Sequence, residues 1–403
     1  MQPVAAKGIK FVGHSDMNGH EDGVQVMVHR GFAYVGHGYS NGITTLDVRD
    51  PRNPKVTDFI ACAPGTRAFH LQTHEDLLLA VNAPSVWTLQ AMSEKEYFGG
   101  SAAERLKGAG FTAGIRVYDI SRPEKPREIG FMPTDGMGPH RIWYVGGRYA
   151  YASIHFADCS DHVFAVIDMS RPARPQLAGR CWIPGMGPGE SKTWPAGERY
   201  ALHHALLDGD IAYGAWRDGG LTVMDVADKA RPKILVHRTP QPGGGGTHSP
   251  LPLPDRKLLV LADEPTFARC ERGRRHIWTW DVREPANPKV IASFPEPAEA
   301  DYCAKGGFFG PHNLHENRPG GFQSSKLVFA TYYNAGVRVY DIADQARPRE
   351  IAYYVPPNPA RMVDPRPNRP QVLQTADCYV DKNGLMYLTD QNAGLNILQY
   401  EGL

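Results

Sequence analysis

The chain is predicted to be all-β and to close as a seven-bladed β-propeller, and two features of its 403 residues carry that prediction. An aspartate followed seven residues later by a proline recurs at Asp47 to Pro54, Asp119 to Pro126, Asp168 to Pro175, Asp225 to Pro232, Asp281 to Pro288 and Asp341 to Pro348. A glycine opens a β-type run at Asn41-Gly42-Ile43, Ala113-Gly114-Ile115, Gly219-Gly220-Leu221, Ala335-Gly336-Val337 and Ala393-Gly394-Leu395. The aspartates are 72, 49, 57, 56 and 60 residues apart, a period that suits a four-stranded blade. Helical solenoids of similar period would need amphipathic helices, which the repeats lack.

Within the first unit, Phe32 to Val35 is a short apolar run, Ile43 to Asp47 alternates apolar and polar, and Val56 to Ile60 follows the proline turn. Proline ahead of the last strand fixes an extended approach and blocks a helix. The repeated glycines suit φ > 0 between the second and third strands. The repeated aspartates are expected to accept backbone hydrogen bonds in the turn that follows them. The run from Ala393 to Leu398 opens a seventh copy that lacks a fourth strand before Leu403. Ile9-Lys10-Phe11-Val12-Gly13 matches Glu128-Ile129-Gly130-Phe131-Met132 in type. The N-terminal strand is therefore expected to close the last blade, leaving no open sheet edge.

The third strands Ile115-Arg116-Val117-Tyr118-Asp119, Leu221-Thr222-Val223-Met224-Asp225 and Val337-Arg338-Val339-Tyr340-Asp341 give the chain its resemblance to the LVIVD-repeat family of β-propellers. The resemblance covers nearly the whole length and implies a propeller, without implying a particular activity.

Composition agrees with a single globular domain spanning 1–403, at 42% hydrophobic and 22% charged residues. A net charge of +1 gives no reason to expect nucleic acid or an anionic membrane surface. No stretch approaches about 18 apolar residues, and Met1 to Ala6 lacks the apolar core of a secretory signal, so the expected location is cytoplasmic. The cysteines at 62, 159, 181, 270, 303 and 378 form no C-x-x-C and are expected to be reduced thiols.

Two segments depart from the repeat. Residues 83–112 are an insertion with a small helical piece expected at about 86–110, notably Leu89 to Phe98 and Ala102 to Lys107. It can serve as a decorated loop, a lid or a homo-oligomer contact. Residues 355–371, with six prolines, form a stiff connection whose Arg361, Arg366 and Arg369 can reach an acidic partner.

Chemistry in such a fold belongs on the axis, because the first strand of every blade faces the central channel. Counting back from the second strands places His70, His203 and Asp377 at one level, and His140 fits with one extra residue. His248 in Gly246-Thr247-His248 and His312 in Gly310-Pro311-His312 echo Gly138-Pro139-His140, and the Gly243 to Gly246 run frees His248 to face the channel. Blade one departs, with Val24 at the equivalent place and His20-Glu21-Asp22 nearby. Imidazoles converging from several directions suit a divalent transition metal, Mn, Fe or Zn ahead of Cu. The opposing reading is that these histidines bond a neighbouring blade's backbone and only help close the ring.

A second layer is expected at the ends of the second strands, which read His37, Asn82, His155, Trp216-Arg217-Asp218, Asp263-Glu264, Tyr332-Tyr333-Asn334 and Asp390-Gln391-Asn392. From it come the candidate catalytic residues: Arg217 for a substrate carboxylate or phosphate, Glu264 or Asp390 as base or metal ligand, Tyr332 as proton donor, and His155. His204, beside His203, and His315, beside His312, are candidates for proton transfer. Neither phosphate-binding glycine motifs nor H-E-x-x-H or G-x-S-x-G occurs. The favoured expectation is a metal-dependent lyase or hydrolase acting on a small organic substrate, by fold-level likeness to the His-lined streptogramin and oligogalacturonate lyases. One alternative is an iron or copper oxidoreductase, since Gly310-Pro311-His312-Asn313-Leu314-His315 loosely resembles a motif of the methanethiol oxidases. The other is a non-catalytic propeller scaffold.

Overall fold

Each Asp–Pro copy marks the corner between the third and fourth strands of an antiparallel sheet. The computed structural model describes residues 2–85, 110–242, 244–366 and 369–403. Unit one comprises Gly23–His29, Phe32–His37, Gly42–Asp47 and Lys55–Ala61, and unit two Leu71–His74, Leu77–Pro84, Ala113–Asp119 and Arg127–Thr134. Unit three comprises Gly138–Trp143, Tyr149–His155, His162–Asp168 and Gln176–Cys181. Units four and five are Tyr200–Asp208, Ile211–Arg217, Leu221–Asp225, Lys233–Arg238 and then Thr247–Leu253, Leu258–Asp263, Ile277–Asp281, Lys289–Ser293, joined by the single Arg217–Thr247 bridge. In unit six, Leu327–Thr331, Val337–Asp341 and Arg349–Val355 are met on the inside by a bridge from Leu314 to Ala330. Unit seven is Thr375–Val380, Leu385–Asp390 and Leu395–Tyr400. The architecture is all-β and propeller-like.

Ile9–Ser15 pairs with Leu395–Tyr400 as the outer strand of unit seven. Ala5–Lys7 adds a further outer strand to unit six, against Tyr353 to Val355, which the repeat alone does not suggest. Among the described residues no α-helix occurs, only the 3₁₀ turns Met17–Gly19, Pro254–Arg256 and Ala268–Cys270, and no helix is long and apolar enough to cross a membrane. The helices expected at Leu89 to Phe98 and Ala102 to Lys107, with the oligomer contact assigned to them, lie outside the described residues.

The repeat's chemistry is structural. Asp47, Asp119, Asp168, Asp225, Asp281 and Asp341 each accept a hydrogen bond from the backbone N–H two residues on, at 2.8–3.1 Å. The resulting corner docks on the outer strand of the unit before it. A Cβ placed on Gly13, Gly130 or Gly179 would lie 2.1, 2.7 or 2.3 Å from the backbone oxygen of Pro51, Pro172 or Lys229, so only glycine admits the neighbouring corner. Between the second and third strands, Gly220, Gly336 and Gly394 take φ of +78°, +74° and +71°, whereas in unit one Asn41 at +53° fills that role and Gly42 does not.

One expectation is corrected. Cys270 and Cys303 form a disulfide with Cα atoms 5.6 Å apart, while Cys62, Cys159, Cys181 and Cys378 are free. The bridged residues sit on the long connections following Asp263 and Ser293, and only the folding of units five and six side by side brings them together.

Candidate metal centre

The inner strands enter the channel through β-bulges. Pairing with the second strand slips between Gly23 and Gln25, Pro139 and Arg141, Tyr200 and His204, Thr247 and Ser249, and Thr375 and Asp377. An extra residue at these points re-aims a side chain. It explains why counting back from the second strand misjudges the levels. By backbone pairing, Gln25, Arg141, His204, Ser249 and Asp377 share one level, with Asn313 joined to Thr331 at the same height. His140, His203, His248 and His312 stand one residue closer to the mouth. His70, whose carbonyl accepts from Val81 N–H, belongs by pairing to the inner level, yet its ring meets that of His140 at 4.9 Å.

The five imidazoles form a continuous arc. Ring centroids are 4.9 Å apart for His70–His140, 4.6 Å for His140–His203, 3.4 Å for His203–His248 and 4.7 Å for His248–His312. They line a cavity of about 100 Å³ together with Arg67, Phe69, Arg217, Glu264, Phe308 and Tyr333, with Tyr39 and Arg366 also in the wall. Two groups have ligand atoms all within 4.8 Å of one another: His70, His140 and His203, and His248, Glu264 and His312. These buried triads can hold a metal ion.

Hydrogen bonds fix which nitrogen is available. His203 Nδ1–H donates to the carbonyl of His248 at 2.8 Å, and His312 Nδ1–H donates to that of Ala376 at 2.5 Å. Ser249 Oγ donates to the carbonyl of His312 at 3.1 Å, so it accepts from His248 Nδ1–H at 2.8 Å. His203 and His312 therefore do bond the backbone of the next unit, but the bond consumes only Nδ1. Nε2 of His248 and of His312 is left with a lone pair facing Glu264, at 3.3 and 3.6 Å. Lone pair facing carboxylate is repulsive unless a cation or a proton lies between. Burial, the largest influence, pushes His248 well below the ordinary imidazole range and takes His312 to about 4 despite the nearby Glu264. In the other triad, His70 Nδ1 and His140 Nε2 are buried without a hydrogen-bond partner.

Glu264 is gripped from both sides. Arg217 Nη1 and the Tyr333 hydroxyl donate to its two oxygens, and the Tyr333 ring stacks on His312 with centroids 4.5 Å apart. Arg217 and Tyr333 are non-glycine residues at φ +53° and +45°, a conformation costing on the order of 1 kcal/mol or more each, which persists where surrounding structure over-determines it.

The other candidates are placed elsewhere. Tyr332 packs in the core near Phe309 and Tyr340, and its neighbour Tyr333 reaches the cavity instead. Asp390 accepts from Gln374 and Asn392 N–H as a turn holder, and Gln391 lines the cavity in its place. His155 Nδ1 accepts from Met137 N–H at 3.0 Å, away from the arc. His204 Nε2 pairs with Glu316 at 3.0 Å on the inner level. Asp377 accepts from Val26 N–H at 3.2 Å, tying unit seven to unit one, and burial pushes its carboxyl up to about 8. A regular signal distinguishes the right neighbours: Arg217, Glu264, Tyr333 and Gln391 each stand six residues past the first residue of their second strand, at Ile211, Leu258, Leu327 and Leu385. Phe69 and Phe308 carried no such signal because they come from connections, and Arg67 comes from the two-residue strand Thr66–Arg67, paired with Ala83 and Pro84, which is outside the repeat.

Residues 142–182 and 206–237 match the profile of the LVIVD repeat. The chain carries LVIVD repeats. They coincide with most of unit three and with unit four from the middle of its first strand, so the repeat spans one blade. Among solved structures the chain is similar to Sqt1 of Saccharomyces cerevisiae, at 10% identity over 97% of this chain and 98% of that one, with a TM-score of 0.56. It is likewise similar to a protein from Lactobacillus plantarum, at 13% identity over 97% and 94% with a TM-score of 0.56. A third is the Cps50 (Swd1) β-propeller domain of Myceliophteria thermophila, at 10% identity over 98% and 99% with a TM-score of 0.54. At such identity the likeness shows the fold alone. No curated protein matches the LVIVD-repeat chain by sequence.

Two buried histidines outside the arc set an acid limit on stability. His155 Nδ1 accepts from Met137 N–H, and His315 Nδ1 accepts from Val380 N–H at 3.1 Å; protonation would put a hydrogen where each bond needs a lone pair. Burial is the main cause that takes both to about 4. Between pH 6.5 and 4 the unfolded chain binds protons that the folded chain refuses, so stability is complete above pH 6.5 and falls toward pH 4. Thermal unfolding followed by circular dichroism is expected to show a falling Tm across that window; a flat profile would contradict the assignment.

Proposed function

We propose that this LVIVD-repeat chain is a metal-dependent enzyme, a single seven-bladed domain over 1–403 whose channel holds a divalent transition ion. The ion would polarise an oxygen of a small organic substrate in a lyase or hydrolase reaction. One observation carries the reading: Nε2 of His248 and Nε2 of His312 converge on the two oxygens of the Glu264 carboxylate, at 3.3 and 3.6 Å. His248, Glu264 and His312 would hold the ion, with His70, His140 and His203 as a second set of imidazole ligands beside it. Mixed nitrogen and oxygen donors of this kind suit Mn, Fe or Zn. Arg217 and Tyr333 fix the carboxylate, and the Tyr333 hydroxyl, in the cavity wall beside Glu264, is the group best placed to move a proton.

An oxidoreductase using iron or copper is the second reading. An all-imidazole set such as His70, His140 and His203 suits either metal, and the Cys270–Cys303 bridge removes the objection that a reducing compartment raises against copper.

Protein purified without a histidine tag and reconstituted with Mn, Fe or Zn is expected to retain metal on elemental analysis. His140→Ala combined with His312→Ala removes one donor from each triad and is expected to weaken retention at least about 100-fold, beyond the effect of losing an outer-sphere partner. Unchanged occupancy would sink the enzyme reading and leave a binding scaffold. A visible absorption band in the loaded protein would favour redox chemistry.

A further inference from the structure

The six donors of the two triads do not form one set. Atoms bound to a single ion lie no more than about 4.4 Å apart, twice a bond of roughly 2.0–2.2 Å. Inside each triad the ligand atoms lie within 4.8 Å of one another, close to that limit, but the six together make no such group. One ion therefore cannot take all of them. The triad without a carboxylate is built as a site in its own right. Its rings meet edge to face, at 75° for His70–His140, 66° for His140–His203 and 87° for His70–His203, and bring their nitrogens together instead of stacking. His70 and His203 are 3% and 2% exposed. His203 Nδ1–H is spent on the carbonyl of His248, which leaves Nε2 as its ligating atom. His70 Nδ1 and His140 Nε2 are buried without a hydrogen-bond partner, a costly state for a polar atom that a cation at a lone pair relieves. Phe69, with its ring centroid 4.5 Å from that of His70 and 5.2 Å from that of His140, supplies a dry wall.

We propose that the channel holds two ions, the one assigned above to His248, Glu264 and His312 and a second at His70, His140 and His203, of the borderline kind that imidazole selects, Zn ahead of Mn. The two places adjoin, since His203 of one set stacks on His248 of the other with centroids 3.4 Å apart. Three histidines with a fourth position left open is an arrangement of catalytic zinc. All three line the cavity, so the open position belongs to a water or a small anion that enters there. This second site goes beyond the single-ion enzyme and does not rest on it.

The full chain without a histidine tag, stripped of metal, reconstituted separately with Zn and with Mn and then dialysed, tests this by elemental analysis. Zn is expected at about two ions per chain and Mn at about one, because imidazole alone holds Mn weakly whereas a site with a carboxylate suits it. His70→Ala is expected to lower Zn to about one ion per chain, weakening the lost site at least about 100-fold, and to leave Mn unchanged. Equal uptake of Zn and Mn overturns the proposal, as does a folded His70→Ala that keeps as much Zn as the parent. Should His70→Ala not fold, the comparison of Zn with Mn on the unaltered protein decides. One ion of either metal per chain would leave the single-ion enzyme standing without the second site. Zn uptake lost in His70→Ala but kept in His312→Ala, with no Mn bound by the parent, would do the reverse.

Discussion

Replacing Glu264 with alanine is expected to lower the unfolding free energy by about 3–5 kcal/mol and to abolish metal retention at His248 and His312. The size of the effect follows from what the carboxylate does. It is 4% exposed, it accepts from the Arg217 guanidinium and the Tyr333 hydroxyl, and Arg217 is itself 6% exposed. Truncation takes from a buried guanidinium the carboxylate it is bonded to. Glu264→Gln separates the two roles. It keeps the volume and an acceptor for Tyr333, so it should unfold at a urea concentration between the wild type and Glu264→Ala, while losing the ion as completely as alanine does. Urea unfolding and elemental analysis on the same preparations measure both. An alanine variant as stable as the parent would mean that Arg217 is compensated elsewhere and that Glu264 does not organise the site.

Deleting residues 1–15 is expected to prevent recovery of a soluble monomer. The deletion strips Ile9–Ser15 from Leu395–Tyr400 and Ala5–Lys7 from Arg349–Val355, exposing two rows of backbone donors and acceptors in adjacent units. Open edges of that kind pair with other chains. It also removes the Gly13 surface on which the Pro51 corner of unit one rests. Gly13→Val tests that last contact alone, since a side chain cannot fit 2.1 Å from the Pro51 oxygen; a Tm several degrees lower is expected, with the monomer retained. Size-exclusion chromatography and thermal unfolding distinguish the cases. A monomeric deletion variant with the parent's Tm would show that the N-terminal strands are accessory.

Much of the fold was legible because the repeat records local physics. An aspartate that caps its own turn, a proline that forces an extended strand and a glycine at positive φ each act within a few residues. The displaced outer strand was readable in type but not in register: the match of Ile9–Gly13 to Glu128–Met132 is two residues out, since Gly13 takes the place of Gly130 and both meet equivalent corners. The convergence of the histidines was readable too, through the Gly-Pro-His and Gly-Thr-His echoes. Their grouping was not. A bulge of one residue before Asp377, and of two before His204, moves them to the level of Arg141 and leaves His140, His203, His248 and His312 nearer the mouth, and nothing in residue identity announces a bulge. The same one-residue ambiguity separates Tyr332 in the core from Tyr333 in the wall.

What the sequence by itself determined is therefore periodic: strand order, the unit-to-unit repeat, the closing N-terminal strand and the strands from which the site is built. Tertiary structure alone decided which atoms meet. The Cys270–Cys303 bridge, the grip of Arg217 and Tyr333 on Glu264, and the placing of Arg67 and Phe308 at the cavity join residues from different units or from connections outside the repeat. The physical reason is one of range. Turn and strand chemistry is settled between near neighbours in the chain, whereas tautomers, lone pairs and buried charge are settled by whatever the closed ring brings to face them.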